Sequence, residues 1–204
     1  PSAADGSAGA PMPFPTPLGV PTADPLCVSV DLGTRAVALG PDGSVWQWGT
    51  VIQNGLAAAP GAPPTRGPGG PARDLVSGES FTCAALADGA WCWGTSRFHF
   101  FGGSSEDPAV PTRIDGTPGD AMLAAGARFL CAAASAQTRC AGWGQLVDSS
   151  GGIWPLAGTA TRIGALDGAA AIDAEQGTVC VVTSANAVRC VGWRSGLEGA
   201  VPPS

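Results

Sequence analysis

The chain repeats itself four times. The stretches "DGSVWQWG", "DGAWCWG", "TRCAGWG" and "VRCVGW" place Trp48, Trp93, Trp143 and Trp193 at intervals of 45, 50 and 50 residues. A second marker lies upstream of each, at Thr16 in "PTP", Thr65 in "PTR", Thr112 in "PTR" and Thr161 in "ATR", at intervals of 49, 47 and 49. Two independent markers with one period define an internal repeat. Repeats of about 40–50 residues fold as propeller blades or solenoids, in which each unit buries its apolar face against the next.

Inside the unit the pattern is β. In "AVALGPDGSVWQWG" a hairpin sets Val37 against Gln47, Ala38 against Trp46, Leu39 against Val45 and Gly40 against Ser44. The loop left over is Pro41, Asp42 and Gly43, with the glycine supplying the positive φ on which a three-residue hairpin loop ends. "TCAALA", "LCAAA" and "VCVV" are apolar at successive positions. A strand buried on both faces reads that way, as in a sheet packed between two other sheets. No apolar stripe of helical period runs beyond about two turns, so little helix is expected. The units run approximately over 18–62, 63–109, 110–158 and 159–204. Residues 1–17, "PSAADGSAGAPMPFPTP", read as a solvated linker on a processed or trimmed chain that starts at Pro1.

Six of the seven cysteines fall on the repeat. Cys83 and Cys92, Cys131 and Cys140, and Cys180 and Cys190 occupy the two hairpin positions that Val37 and Gln47 fill in the first unit. Facing residues on antiparallel strands lie within disulfide range. Three cross-strand disulfides are the structural reading, and reduced buried thiols are the alternative. Zinc fits poorly, because it prefers C-x2–4-C knuckles and four convergent ligands, and His99 is the single histidine. Disulfides place the chain in the periplasm, at the cell surface or outside the cell. Cys27 has no partner in the pattern, so it is unpaired or bonded to another chain.

With its hairpins laid out, the chain resembles the RCC1-like repeat family, named for the regulator of chromosome condensation. The resemblance rests on "LVSGESFTCAALADGAWCWG" (75–94), "VALGPDGSVWQWG" (37–49) and "LAAGARFLCAAASAQTRCAGWGQL" (123–146), and spans about 13–195. It implies an all-β fold: an RCC1-like β-propeller, or a partial propeller of four blades, with cross-strand disulfide hairpins. Members usually close seven blades, so four units imply a small ring, an open sector or part of a longer parent. Eukaryotic members act as exchange factors for a small GTPase and touch chromatin. This chain looks more like secreted bacterial members that serve as binding modules.

Composition narrows the function. The net charge of −6 and the absence of Lys repel phosphate backbones, so nucleic acid is not an expected partner. No apolar run reaches the roughly 20 residues of a membrane span. No catalytic set, metal site or cofactor fingerprint is present in the sequence: His99 has no nucleophile or carboxylate paired with it, and no G-x-S-x-G or P-loop occurs. The expectation is a non-enzymatic, extracytoplasmic protein-binding or accessory subunit, whose partner is another protein or a second copy of itself. Arg97, Phe98, His99 and Phe100, in the long loop after Trp93, combine a bidentate donor with aromatic area and form the candidate tip. The alternative is a lectin-like carbohydrate or small-ligand module, for which an exposed Trp154 in "GGIWPLAG" would be the stacking platform.

Overall fold

A computed structural model describes residues 27–30, 35–49, 52–53, 56–57, 65–66, 70–79, 81–94, 111–134 and 137–192; at 27–36 and 48–66 only the backbone is described. Regular structure there is all strand, apart from one 3-10 turn at Gly164–Leu166. The first four-stranded sheet is β1 (Cys27–Val30), β2 (Arg35–Leu39) and β3 (Val45–Gly49), with a small hairpin of β4 (Ile52–Gln53) and β5 (Leu56–Ala57) leading to its outer strand β6 (Thr65–Arg66). The second is β7 (Asp74–Ser77), β8 (Phe81–Leu86), β9 (Gly89–Gly94) and β10 (Thr112–Arg113). The third is β11 (Met122–Ala125), β12 (Phe129–Ala134) and β13 (Gln137–Gly142), then β14 (Gly144–Val147) and β15 (Ile153–Leu156) before its outer strand β16 (Thr161–Arg162). The fourth is five-stranded: β17 (Ala169–Glu175), β18 (Thr178–Thr183) and β19 (Val188–Gly192), with the β14–β15 hairpin added at the edge of β19 in the order β15, β14, β19, β18, β17. Each marker Thr-Arg that opens a sequence unit is therefore the outer strand of the preceding blade.

The expected hairpin register holds. Val37 faces Gln47, Ala38 faces Trp46 and Leu39 faces Val45. Gly40 N–H donates to Ser44 O at 2.7 Å, and Gly43 has φ +78°. Asp42 Oδ1 fastens this turn by accepting from Ser44 N at 3.0 Å and Ser44 Oγ at 2.6 Å. In the next three blades the same facing positions are Cys83–Cys92, Cys131–Cys140 and Cys180–Cys190, each a disulfide with Cα atoms 4.1 Å apart.

Blades stack face to face. Val37, Leu39 and Val45 of the first pack on Leu75, Ala84, Leu86 and Trp93 of the second. Phe81, Cys83 and Cys92 pack on Leu123, Leu130, Ala132 and Ala141 of the third. Phe129, Cys131 and Cys140 pack on Val179, Val181 and Val191 of the fourth. Each blade thus has a forward face, which carries the cystine or its equivalent, and a rear face that covers the blade before it. Inner strands touch in series, β1 to β7, β7 to β11 and β11 to β17. No contact of that extent returns from β17 to β1 among the described residues, so the four blades form an open arc.

One alignment from the sequence is corrected. Trp93 faces Thr82 on the rear face of its blade, but the position facing Leu130 is Ala141 and that facing Val179 is Val191. Trp143 lies two residues further on, past the strand, and is 46% exposed. The pairs Thr82–Trp93, Leu130–Ala141 and Val179–Val191 exchange bulk across the ladder. With Leu130 filling the slot from one strand, a tryptophan at 141 would overfill it.

Burial of the cystines differs along the arc. Cys83, Cys92, Cys131 and Cys140 are all 0% exposed. Cys180 is half-buried and Cys190 exposed. Mild reductant followed by alkylation of the folded protein is therefore expected to label Cys180 and Cys190 first. Peptide mass spectrometry showing Cys83 or Cys131 modified at the same rate would contradict this packing. Without reductant, one alkylated cysteine per chain is expected, Cys27.

Candidate functional site

The second strand of every hairpin begins, and the third ends, at the same end of the arc. At that end lie the turns at 126–128 and 176–177 and the connection at 143–160, and there β3 and β9 end and β6 and β10 begin. A rigid scaffold with variable loops at one end is the usual seat of binding. Arg97, Phe98, His99 and Phe100 follow β9 in sequence and lie outside the described residues. Cys27 opens β1 opposite Leu39, and its side chain lies outside them too.

The 143–160 connection is described in full. Gly142 N–H donates to Ala157 O at 2.8 Å, and Trp143 N–H donates to Arg128 O at 3.0 Å, which closes the base of the connection. Gly142 and Gly144 have φ +147° and +108°, so the backbone turns sharply on both sides of Trp143 and carries the indole outward. The Arg128 guanidinium lies 5.5 Å from the Trp143 ring centroid. Such a stack contributes about 0.5–1 kcal/mol at an exposed site and keeps both groups presented.

Beyond Trp143, β14 and β15 form a hairpin with Leu146 facing Trp154 and Val147 facing Ile153. Leu146 is fully buried, and Trp154 packs half-buried against the cluster of Phe129, Leu146 and Val179. Trp154 is thus not the exposed platform expected from sequence; its ring edge lies under Gly152, where an added Cβ would sit 3.0 Å from it. The other face shows Gln145, Val147, Pro155 and Ile153, the last 56% exposed. The hairpin also leaves its own blade: Val147 pairs with Gly192 on β19 of the fourth. This crossing is not legible in the sequence, because "IWPL" carries a proline that argues against a strand and the partner lies more than thirty residues away.

The hairpin tip is an Asp-centred turn. Asp148 Oδ1 accepts from Ser150 Oγ at 2.7 Å, Ser150 N at 2.9 Å and Gly152 N at 2.7 Å. The Ser150 hydroxyl foremost, helped by backbone amides and opposed by desolvation, holds the Asp148 carboxyl below its ordinary value of 3.8. A lowered folded-state value means the turn is favoured above the ordinary carboxylate range and loosens as pH falls through the lowered value. Ser150→Ala is expected to move the Asp148 titration, followed by NMR, up towards 3.8; an unmoved midpoint would contradict the assigned cause.

Chemically, this end offers a stacked cation and indole, an exposed Ile153 and a rigid tight turn. Arg and Trp are the residue types that dominate protein–protein hot spots. Among the described residues no group of three or more His, Cys, Asp or Glu side chains converges as a metal site would require.

No protein-family model matches the chain, and no curated protein matches its sequence. Solved structures do match. Yeast RCC1 (Prp20), crystallised bound to Kap60, superposes with a TM-score of 0.62 at 17% identity, over 85% of this chain and 45% of that one. Prp20p of Saccharomyces cerevisiae, described with its binding to Gsp1p and histones, gives 0.63 at 16%, over 85% and 46%. Human WBSCR16 gives 0.55 at 14%, over 82% and 44%. The chain spans less than half the length of these proteins. At such identities the likeness is one of fold, and the fold is an all-β RCC1-like propeller arc.

Proposed function

We propose that the chain is a non-enzymatic, extracytoplasmic protein-binding or accessory subunit that docks through the loop end of its blades. The observation that carries this reading is the Arg128–Trp143 stack, set beside the exposed Ile153 on a scaffold closed by cystines. Arg97, Phe98, His99 and Phe100, which follow β9 in sequence and lie outside the described residues, are included in the proposed surface. Three disulfides support an oxidising compartment, and no helix among the described residues is long and apolar enough to cross a membrane. The solved neighbours support the class, since yeast RCC1 with the same fold was crystallised with a protein partner.

The test is a partner identified by cross-linking on the native envelope and then measured with purified components. Arg128→Ala with Trp143→Ala and Ile153→Ser is expected to leave the thermal transition in place and to weaken binding about 10–100-fold. Replacing Arg97, Phe98 and Phe100 with Ala is expected to weaken it by a similar factor. Unchanged affinity in both variants would remove the loop end from the interface, and turnover of a substrate by the purified chain would overturn the functional class.

A further inference from the structure

Asp-Gly recurs along the chain, at Asp5, Asp42, Asp88, Asp115 and Asp167. In this dipeptide the glycine amide can reach the preceding carboxyl carbon, because no Cβ on the second residue obstructs the approach. Asp42, Asp88, Asp115 and Asp167 lie among the described residues, each at a turn. Three of these carboxylates are held. Asp42 Oδ1 accepts from Ser44 N at 3.0 Å and Ser44 Oγ at 2.6 Å, and Gly43 N–H is engaged with Gly40 O at 2.9 Å. Asp88 Oδ1 accepts from Trp91 Nε1 at 2.9 Å. Asp167 is clasped by Arg162, with Nε at 2.8 Å, and accepts from Thr138 N at 3.2 Å; its side chain is 19% exposed. Asp115 differs. Its side chain is 78% exposed, and its carboxylate meets one group among the described residues, Arg113 Nη1 at 3.3 Å. A surface contact of that length holds a carboxylate weakly. Gly116 N–H makes no hydrogen bond among the described residues.

Packing requires the glycine that makes this pair reactive. Gly116 has φ +79°, and an added Cβ would lie 2.7 Å from Ala160 O. The turn is also a joint between the second and third blades. Ala160 N–H, just ahead of β16, donates to Asp115 O at 2.7 Å. Thr117 N–H donates to Ile114 O at 3.3 Å, and the Thr117 hydroxyl donates to the same oxygen at 2.7 Å. That hydroxyl oxygen accepts from Ala90 N, in β9, at 2.9 Å.

We infer that Asp115–Gly116 is a site of spontaneous isoaspartate formation, which lengthens the main chain at the joint between the second and third blades. The Gly116 nitrogen attacks Cγ of the protonated Asp115 carboxyl. An N–Cγ bond forms, and the carboxyl OH leaves as water with the amide proton. The product is a five-membered succinimide. Water then adds to one of its carbonyls. Addition at Cγ breaks the new N–Cγ bond and restores aspartate. Addition at the main-chain carbonyl breaks the original peptide bond, so the chain runs on through Cγ and the α-carboxylate becomes the side chain. One water is lost and one is gained, and nothing is oxidised or reduced. The carbonyl that receives Ala160 N–H is then outside the main chain, and the Ile114–Thr117 turn carries one carbon more than its hydrogen bonds span. This joint lies at the end of the arc opposite the loop end, apart from the docking surface proposed above.

The test ages the 204-residue chain at neutral pH and body temperature for weeks. Peptides are then read by electron-transfer fragmentation, which cleaves isoaspartate between Cα and Cβ. Isoaspartate at 115 is expected to exceed that at 42, 88 and 167 by about tenfold, the rate factor of one hydrogen bond to a charged group. Asp5–Gly6 and Asn54–Gly55, outside the described residues, are scored separately. Amide exchange at Thr117 and Ala160 is expected to quicken in the aged protein. Asp115→Glu, which cannot form the five-membered ring, is expected to keep the fresh pattern after the same treatment. Ageing in guanidinium chloride with reductant removes the turns, and the four sites are then expected to react at similar rates. Isoaspartate at 115 that is absent, or equal to that at the other three sites, overturns the inference. An excess at 115 that persists in denaturant overturns the structural cause, and unchanged exchange at both amides refutes the joint.

Discussion

Trp93→Ala is expected to lower the free energy of unfolding by about 4 kcal/mol, the range found for removing a fully buried indole. Trp93 is 1% exposed and stands where the first two blades meet. Its Nε1–H donates to Gln47 Oε1 at 2.9 Å, across 46 residues of sequence. Gln47 holds the position that carries a cystine in every later blade, so hydrogen bonding replaces the covalent bridge at this one junction. The arrangement is incomplete, because Gln47 Nε2 is buried and has no hydrogen-bond partner among the described residues. Trp93→Phe keeps most of the packing but strands the whole amide, at about 1–3 kcal/mol. Adding Gln47→Leu to Trp93→Phe is then expected to recover most of that loss, since both polar partners leave together. Urea transitions of the four proteins decide the matter. A Trp93→Ala midpoint close to the parent, or a double variant no better than Trp93→Phe, would refute the packing described.

Gly126→Ala is expected to cost about 3 kcal/mol, at the upper end for overfilling a packed site. A methyl there would lie 2.3 Å from Phe129 Cε1, 2.5 Å from Phe129 Cζ and 2.6 Å from Gln176 O. One obstacle is a ring locked at 0% exposure and the other is backbone of the next blade, so neither can withdraw easily. The same device occurs one blade earlier: a methyl on Gly78 would lie 2.2 Å from Phe81 Cε1 and 2.6 Å from Gly126 O. In both, the glycine N–H donates to the phenylalanine carbonyl, at 2.9 Å for Gly78 and 3.0 Å for Gly126. The adjoining amides continue the series across blades, with Ala127 N–H donating to Gln176 O at 2.6 Å. Gly164→Ala is the control, because nothing lies within 4 Å of its added Cβ. Calorimetry showing equal transitions for the 126 and 164 variants would mean that the blades are not in this contact.

The parts of the fold legible in the sequence were those fixed by local chemistry. A Pro-Asp-Gly loop and two small-residue strands determine which residue faces which, so the register around Val37 and Gln47 and the three cystines could be read directly. Disulfide spacing adds a second constraint on the same ladder. The failures were non-local. Trp143 follows a glycine as Trp93 precedes one, and only the packing of Leu130 against Ala141 shows that the tryptophan has been displaced to the surface. Trp154 looked like a surface residue in a Gly-rich stretch, but its burial depends on a hairpin that pairs with a different blade. The candidate surface was legible as an end of the scaffold, from loop lengths, while the Arg128–Trp143 stack was not. Those residues are 15 apart in sequence and meet because strand β12 starts where β13 ends.

The hairpin that crosses from the third blade to the fourth makes the arc mechanically polar. A pull applied beyond Gly192 loads β19, which is gripped by β18 on one side and touched by β14 on the other. Tension entering there is passed to the third blade before the fourth can peel away, so these two yield together. At the first blade the corresponding hairpin, β4–β5, touches β9 of the second blade but shares no ladder pairing with it among the described residues. Tension entering on that side is resisted by side-chain faces, the Trp93–Gln47 bond and one backbone bond from Ala72 N–H to Gly43 O. The weak end under load is therefore the one whose hairpin lacks a cystine, and the arc would be stripped from its N-terminal side.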